Sequence, residues 1–193
     1  KTSATSFNGT FSGCASFTIP SGLFDYNTNV ISFIKTFGDT DGYNNIYGYY
    51  DNCSVYNGSY DGYPYQCLFS SIPSTLFVNN TKVTSFNGTF KNCCRNVSSI
   101  SVDLFKNCTE VVDFTYCFGH NNPVPNYFWQ GKLASVPYNT FTNCTKVTNV
   151  DGMFANQYIS VVPNFDNFIH GSTFSAVGCF YHDIYLTGSQ PSY

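Results

Sequence analysis

The side chains able to do acid–base or nucleophilic chemistry are few and scattered along the chain. The 193 residues hold a single glutamate, Glu110, and three histidines, His120, His170 and His182. Glycoside hydrolysis needs two carboxyl groups flanking one bond at a set separation, and Glu110 has no obvious partner. The histidines stand in loop-like or terminal sequence with no nucleophile motif beside them. No Gly-x-Ser-x-Gly, His-Glu-x-x-His or phosphate-loop pattern occurs. Asp39-Thr40-Asp41-Gly42-Tyr43-Asn44 spaces oxygen ligands around a Gly turn as a calcium loop does, but it lacks the later bidentate Glu and reads as an ordinary turn. The chain is therefore read as a non-enzyme with no cofactor and no metal. A carbohydrate-active enzyme is a third and weaker reading.

Cysteine and asparagine offer covalent chemistry of another kind. Nine cysteines occur: Cys14, Cys53, Cys67, Cys93, Cys94, Cys108, Cys117, Cys144 and Cys179. Cys14, Cys93, Cys108 and Cys144 each follow a Phe by three residues, and a Cys at a fixed repeat position reads as a small core residue. Cys93, Cys108 and Cys144 are expected to be buried, reduced and aligned. Cys53 and Cys67 share one segment, where a crosslink would add order. The odd total and the Cys93-Cys94 adjacency argue against a regular disulfide framework. Asn8, Asn52, Asn57, Asn79, Asn87, Asn96, Asn107 and Asn143 each begin Asn-x-Ser/Thr. With 22 Asn and 40 Ser or Thr, about four to five such triplets arise by chance. They read either as glycan acceptors or as repeat chemistry in an Asn-rich chain.

Aromatic side chains supply the leading binding candidates. Tyr43, Tyr47, Tyr49, Tyr50, Tyr56, Tyr60, Tyr63 and Tyr65 lie in residues 39–71 among Gly, Asn, Ser and Asp. Tyr gives large contact area at low entropic cost, and the small residues give adaptable hydrogen bonding. Aromatic rings also stack on sugar faces. The competing reading is a surface loop whose Tyr rings cover its own scaffold. Residues 120–132 add Tyr127, Phe128 and the only Trp, Trp129. Projected on the same face, the two segments would share one site.

These segments interrupt a repeat that must position them. Val83-Thr84-Ser85-Phe86, Val97-Ser98-Ser99-Ile100 and Val111-Val112-Asp113-Phe114 begin fourteen residues apart. Two kinds of unit alternate. The first kind is seen in Ile19-Pro20-Ser21-Gly22-Leu23-Phe24, Ile72 to Phe77, Val102 to Phe105 and Val136 to Phe141. The second is seen in Val30 to Phe37, Val83 to Phe90, Val111 to Phe118 and Val147 to Phe154. The Phe of the first kind precedes the last Phe of the second by thirteen residues each time: 24 and 37, 77 and 90, 105 and 118, 141 and 154. A full coil is then a pair of units, about 26–28 residues long. A fixed period means stacked units. The first-kind Phe residues are expected to form one internal stack and Phe37, Phe90, Phe118 and Phe154 another. Asn-Gly and Asp-Gly pairs mark turns, and Val, Ile, Thr and aromatic residues favour short strands between them.

Val147-Thr148-Asn149-Val150-Asp151-Gly152-Met153-Phe154 and Val83 to Cys93 resemble the repeats of BspA-like leucine-rich proteins, which carry a Phe-x-x-Cys element. The resemblance runs over roughly residues 3–168, with Phe at positions where that family has Leu. It implies a surface-associated protein that works by adhesion or recognition. The fold expected is a mainly β repeat solenoid of BspA-like coils with two insertions, about 39–71 and 120–132. Residues 1–193 form one repeat domain, with a C-terminal cap or tail at 169–193. The chain begins at Lys1 close to its first repeat, so it is read as a processed secreted form or a piece of a longer protein.

Composition bounds the function. Only 10% of residues are charged while 19% are aromatic, and the formal net charge is −3. No basic run exists to track phosphates, so nucleic acid is not an expected partner. No apolar stretch approaches membrane-spanning length, so membrane insertion is not expected. The function expected is an extracellular recognition or adhesion module at a cell or virion surface. Its partner would be a surface protein or glycan of a host or neighbouring cell. The alternative is a structural subunit of a virion appendage or surface filament, which involves self-assembly.

Overall fold

The computed structural model describes residues 3–12, 14, 18–38, 69–94, 96–120, 131–169, 172–181 and 183. The mainly β solenoid expected from the sequence is not what these residues form. Among them there is no helix and no sheet. Only isolated parallel bridges occur. One series runs Ser6, Ser32, Ser85, Asp113, Asn149, Ser175, and a separate bridge joins Ser99 to Ser135. The coils stack, but they are built from turns.

The reason lies three residues past each bridging residue of the long series. Gly9, Lys35, Gly88, Tyr116, Gly152 and Gly178 all have φ between 51° and 64°. This left-handed conformation reverses the chain before a second ladder residue can follow. Four of these glycines stand in the pairs Asn8-Gly9, Asn87-Gly88, Asp151-Gly152 and Val177-Gly178, whereas Lys35 and Tyr116 hold the same conformation with a side chain. Stacking hydrogen bonds nevertheless continue through the turn. The amides one, three and five residues past each bridging residue donate to carbonyls zero, two and four residues past the next one. Phe86, Gly88 and Phe90 thus donate to Asp113, Thr115 and Cys117 at 2.9, 2.8 and 2.8 Å. Residues 172–181 repeat the pattern as a sixth second-kind unit. Gly152 donates to Val177 at 3.0 Å and Phe154 to Cys179 at 2.8 Å.

Phenylalanine fills the interior in three columns. Phe11, Phe37, Phe90, Phe118, Phe154 and Phe180 stack with centroid steps of 5.4, 5.4, 5.4, 5.7 and 5.6 Å. Phe24, Phe77, Phe105 and Phe141 form the second column, at 6.0, 6.0 and 5.7 Å. Both match the stacks read from the spacing. The third, Phe7, Phe33, Phe86 and Phe114, uses the last apolar residue of the four-residue segments and gives way to Val150. Rings of different columns meet at steep angles, as Phe105 and Phe114 do at 4.9 Å and 71°. Aromatic pairs gain most in such offset and tilted arrangements.

Polar donors lock each coil to the one before. At five places among the described residues, the residue three past a first- or second-kind Phe points a donor at the carbonyl of the corresponding Phe in the preceding coil. Asn80 Nδ2 donates to Phe24 at 3.4 Å, and Cys93 Sγ donates to Phe37 at 2.9 Å. The thiols of Cys108 and Cys144 approach the carbonyls of Phe77 and Phe105 at 3.9 and 4.0 Å, and Gln157 Nε2 donates to Phe118. Cys93, Cys108 and Cys144 are buried, as expected of a core column. Cys94, Cys117 and Cys179 are also buried, and Cys94, Cys108, Cys117, Cys144 and Cys179 form no disulfide. Burial pushes the thiols of Cys94 and Cys144 up to about 12. Cys14 departs from the pattern. It is exposed. Cys53 and Cys67 lie outside the described residues.

Candidate functional site

All ten aromatic binding candidates, Tyr43, Tyr47, Tyr49, Tyr50, Tyr56, Tyr60, Tyr63, Tyr65, Tyr127 and Trp129, lie outside the described residues. So does the turn at 39–44. The structure does define where the two insertions leave the coils and where they return.

Both leave from the same repeat position. Gly38 follows Phe37, and Gly119 follows Phe118; these Phe residues are equivalent members of one column. A Cβ on Gly38 would strike the carbonyl oxygen of Gly88, and one on Gly119 would strike that of Gly152. Only glycine lets the backbone pass this close to the next coil. Both insertions also return at one position. Phe69 lies eight residues before Phe77, and Leu133 lies eight before Phe141. In the uninterrupted coil Val97 holds that place before Phe105. Phe69, Val97 and Leu133 are all buried. Phe69 packs its ring edge-on between Phe37 and Phe90, at 6.1 and 6.0 Å. The two insertions are thus rooted on one edge of the stack. Two coil steps separate the roots, Phe37 to Phe90 and Phe90 to Phe118, each 5.4 Å between centroids.

The second root is held by buried polar groups. His120 is buried; its amide donates to Ala155 at 2.8 Å, and its carbonyl accepts from Asn156 Nδ2 at 2.6 Å. On the return side Gly131 donates to Asn156 at 2.9 Å, and Leu133 donates to Gln157 Oε1 at 3.1 Å. A Cβ on Gly131 would overlap the Gln157 amide. Sequence reading did not single out Gly38, Gly119, Gly131 or Gln157. The legible signal was the Phe-Gly pair ahead of each insertion.

Compared with known proteins, the chain matches no family model and no curated protein.

The sequons divide by geometry. Asn8, Asn79 and Asn96 are exposed. Asn107, half-buried, and Asn143, exposed, belong to an amide ladder two residues past the first-kind Phe. Their Nδ2 atoms donate to the carbonyls of Val78 and Lys106 at 2.8 Å each, and Asn167 donates likewise to Thr142 at 3.0 Å. Asn87 bonds to Asp113 at 3.2 Å, and the Thr of its triplet, Thr89, is buried with its hydroxyl donating to Phe33 and Phe86 at 2.8 Å each. Asn52 and Asn57 lie outside the described residues.

The sole glutamate, Glu110, pairs with Lys146 at 2.6 Å on the exposed surface. Among the described residues, no group of three His, Cys, Asp or Glu is placed to hold a metal, and no helix is long and apolar enough to cross a membrane.

Proposed function

We propose that the chain is an extracellular recognition or adhesion module, at a cell or virion surface, that binds a surface protein or glycan through its two aromatic-rich insertions. The observation that carries this reading is the common root. Gly38 and Gly119, with Phe69 and Leu133, launch both insertions from equivalent positions two coil steps apart. The coil stack fills its own interior with Phe columns, so the Tyr and Trp side chains are not required to complete it. The repeat resemblance to BspA-like surface proteins, the low charge and the Tyr/Gly/Asn composition support the same reading. Tyr, Gly, Ser and Asn together suit adaptable contacts of low entropic cost.

The test is deletion of residues 43–65, which keeps Gly38 and Phe69 in place. Closure cost changes slowly with loop length, so the variant should keep the parent's thermal unfolding profile. Binding on a glycan array and to intact cells should be lost. A deletion variant that binds as the parent does, or one that unfolds, rejects the proposal.

A further inference from the structure

Between the two coils that carry insertions lies one that closes directly, from Phe90 to Val97. Val97 holds the place at which Phe69 and Leu133 bring the insertions back. The residue just before it opens the triplet Asn96-Val97-Ser98. Asn96 and Ser98 are exposed while Val97 is buried. Neither the Asn96 side chain nor the Ser98 hydroxyl makes a hydrogen bond among the described residues. Asn107 and Asn143 differ, since their Nδ2 atoms bond across the seam, and so does Asn87, whose Thr89 is buried. The direct stretch also lies against both ends of the second insertion. Asn92 donates to Gly119, where that insertion leaves, at 3.0 Å. The carbonyls of Cys94 and Ser98 accept from Lys132 and Ala134, where it returns, at 2.8 and 3.0 Å. Toward the first insertion, Cys93 Sγ donates to Phe37 at 2.9 Å, and Phe69 packs on Phe90 at 6.0 Å. Asn96 therefore stands on the rung between the two roots, one coil step from each.

We infer that a glycan on Asn96 stands between the two insertions and restricts what reaches them. This control rests on the insertions being the recognition site. Attachment joins Asn96 Nδ2 to the anomeric carbon of an oligosaccharide carried on a lipid diphosphate. The bond from that carbon to the diphosphate breaks, the lipid diphosphate leaves, and Nδ2 gives up one proton. The stack keeps its seam bonds in the product, because none of them uses this amide. An N-linked glycan is bulky and solvated. Rooted on the rung that lacks an insertion, it takes the place on this edge that an insertion takes in the coils on either side. The exposed triplet at Asn79 is the comparison. Asn79 follows the first-kind Phe77 by two residues and lies ten residues past Phe69, so its glycan is not rooted on the insertion rungs.

Limited chymotrypsin digestion of the full chain, secreted from a eukaryotic host, tests this without any partner. Glycopeptide mapping first establishes that Asn96 is occupied. Mass spectrometry then follows cleavage after the aromatic residues of 39–68 and 121–130. Ser98→Ala and Asn96→Gln remove the glycan by different changes, and both should be cut in those segments faster than the parent. Thr81→Ala, which removes the glycan at Asn79, should be cut at the parent's rate. Thermal midpoints of all three variants should match the parent's, so that faster cutting is not loss of fold. An empty Asn96 overturns the inference, and so does equal cutting with and without its glycan. Equal acceleration by Thr81→Ala, or a lowered midpoint in both glycan-free variants at the Asn96 triplet, overturns it as well. On cells that bind the parent, Ser98→Ala and Asn96→Gln should bind more, and faster cutting without greater binding there also counts against it. If no cell binds the parent, the recognition reading fails by itself, and the cleavage rates still decide whether the Asn96 glycan shields the insertions.

Discussion

Asn107 donates from Nδ2 to the carbonyl oxygen of Val78, 2.8 Å away in the preceding coil. The bond satisfies a seam carbonyl and explains an Asn-Cys-Thr triplet without a glycan. Losing a partly buried amide bond costs about 1–2 kcal/mol. Asn107→Ala should lower unfolding stability by that amount in a urea titration. Asn79→Ala, at an exposed triplet, should change it by less than about 0.5 kcal/mol. Equal losses at the two positions would refute the ladder.

Glycosylation should follow the same division. A glycan on Asn107 or Asn143 would replace one of the two hydrogens on the nitrogen that bonds across the seam and place a sugar against the preceding coil, so these sites should be poor acceptors once the coils stack. Expressed in a eukaryotic secretory host, the secreted product should carry glycans at Asn8, Asn79 and Asn96. Asn87, Asn107 and Asn143 should be bare in glycopeptide mapping. Occupancy at Asn107 or Asn143 in folded material would contradict the assignment.

The Phe90 ring is fully buried in the longest column, with neighbours at 5.4 Å on both sides. Phe90→Ala should cost about 3–5 kcal/mol, through lost transfer energy and the cavity left behind. Phe90→Leu keeps much of the volume and should cost less. Chemical denaturation of both variants checks the order. A Phe90→Ala loss below about 1 kcal/mol would mean that the column relaxes freely, against the close packing described.

Gly119 and Gly9 should respond differently to alanine. At Gly119 the added Cβ meets the Gly152 carbonyl and Tyr116, whereas at Gly9 nothing lies within 4 Å. Gly9→Ala then bears only the left-handed backbone, a cost of about 1–2 kcal/mol. Gly119→Ala must push two coils apart, and its thermal midpoint should fall further than that of Gly9→Ala. The reverse order would disprove close approach at the insertion root.

Stability should depend on pH through Asp183, which stands three residues past Phe180. Burial pushes its carboxyl up to about 8, opposed by the backbone of Gln157 and Ile159. An unfolded Asp releases its proton near 3.8. Between those values the folded chain holds a proton that the unfolded chain has lost. Stability should therefore fall as pH rises through that window and level off above about 8. Asp183→Asn should flatten this part of the profile in thermal melts from pH 4 to 9. An unchanged slope would remove Asp183 as its source.

Much of the scaffold is legible in spacing. Thirteen residues from Phe77 to Phe90, and again from Phe105 to Phe118, require those side chains to recur on one side of a repeating path. Burial then follows from their apolarity. The interruptions were readable as extra residues in the spacing, but their ends were not: Phe69, which the spacing left inside the first of them, is a buried member of the coil. What periodicity could not supply was backbone conformation. The residue types between Val83 and Phe86 suit a strand, yet Lys35 and Tyr116 adopt the left-handed turn that Gly88 and Gly152 adopt. Stacking on neighbouring coils outweighs local preference there, and so the expected strands reduce to single bridges. Nor could a linear sequence show that Gly38 and Gly119 share one edge. That needs the register of one coil on the next, set by hydrogen bonds between residues far apart in the chain.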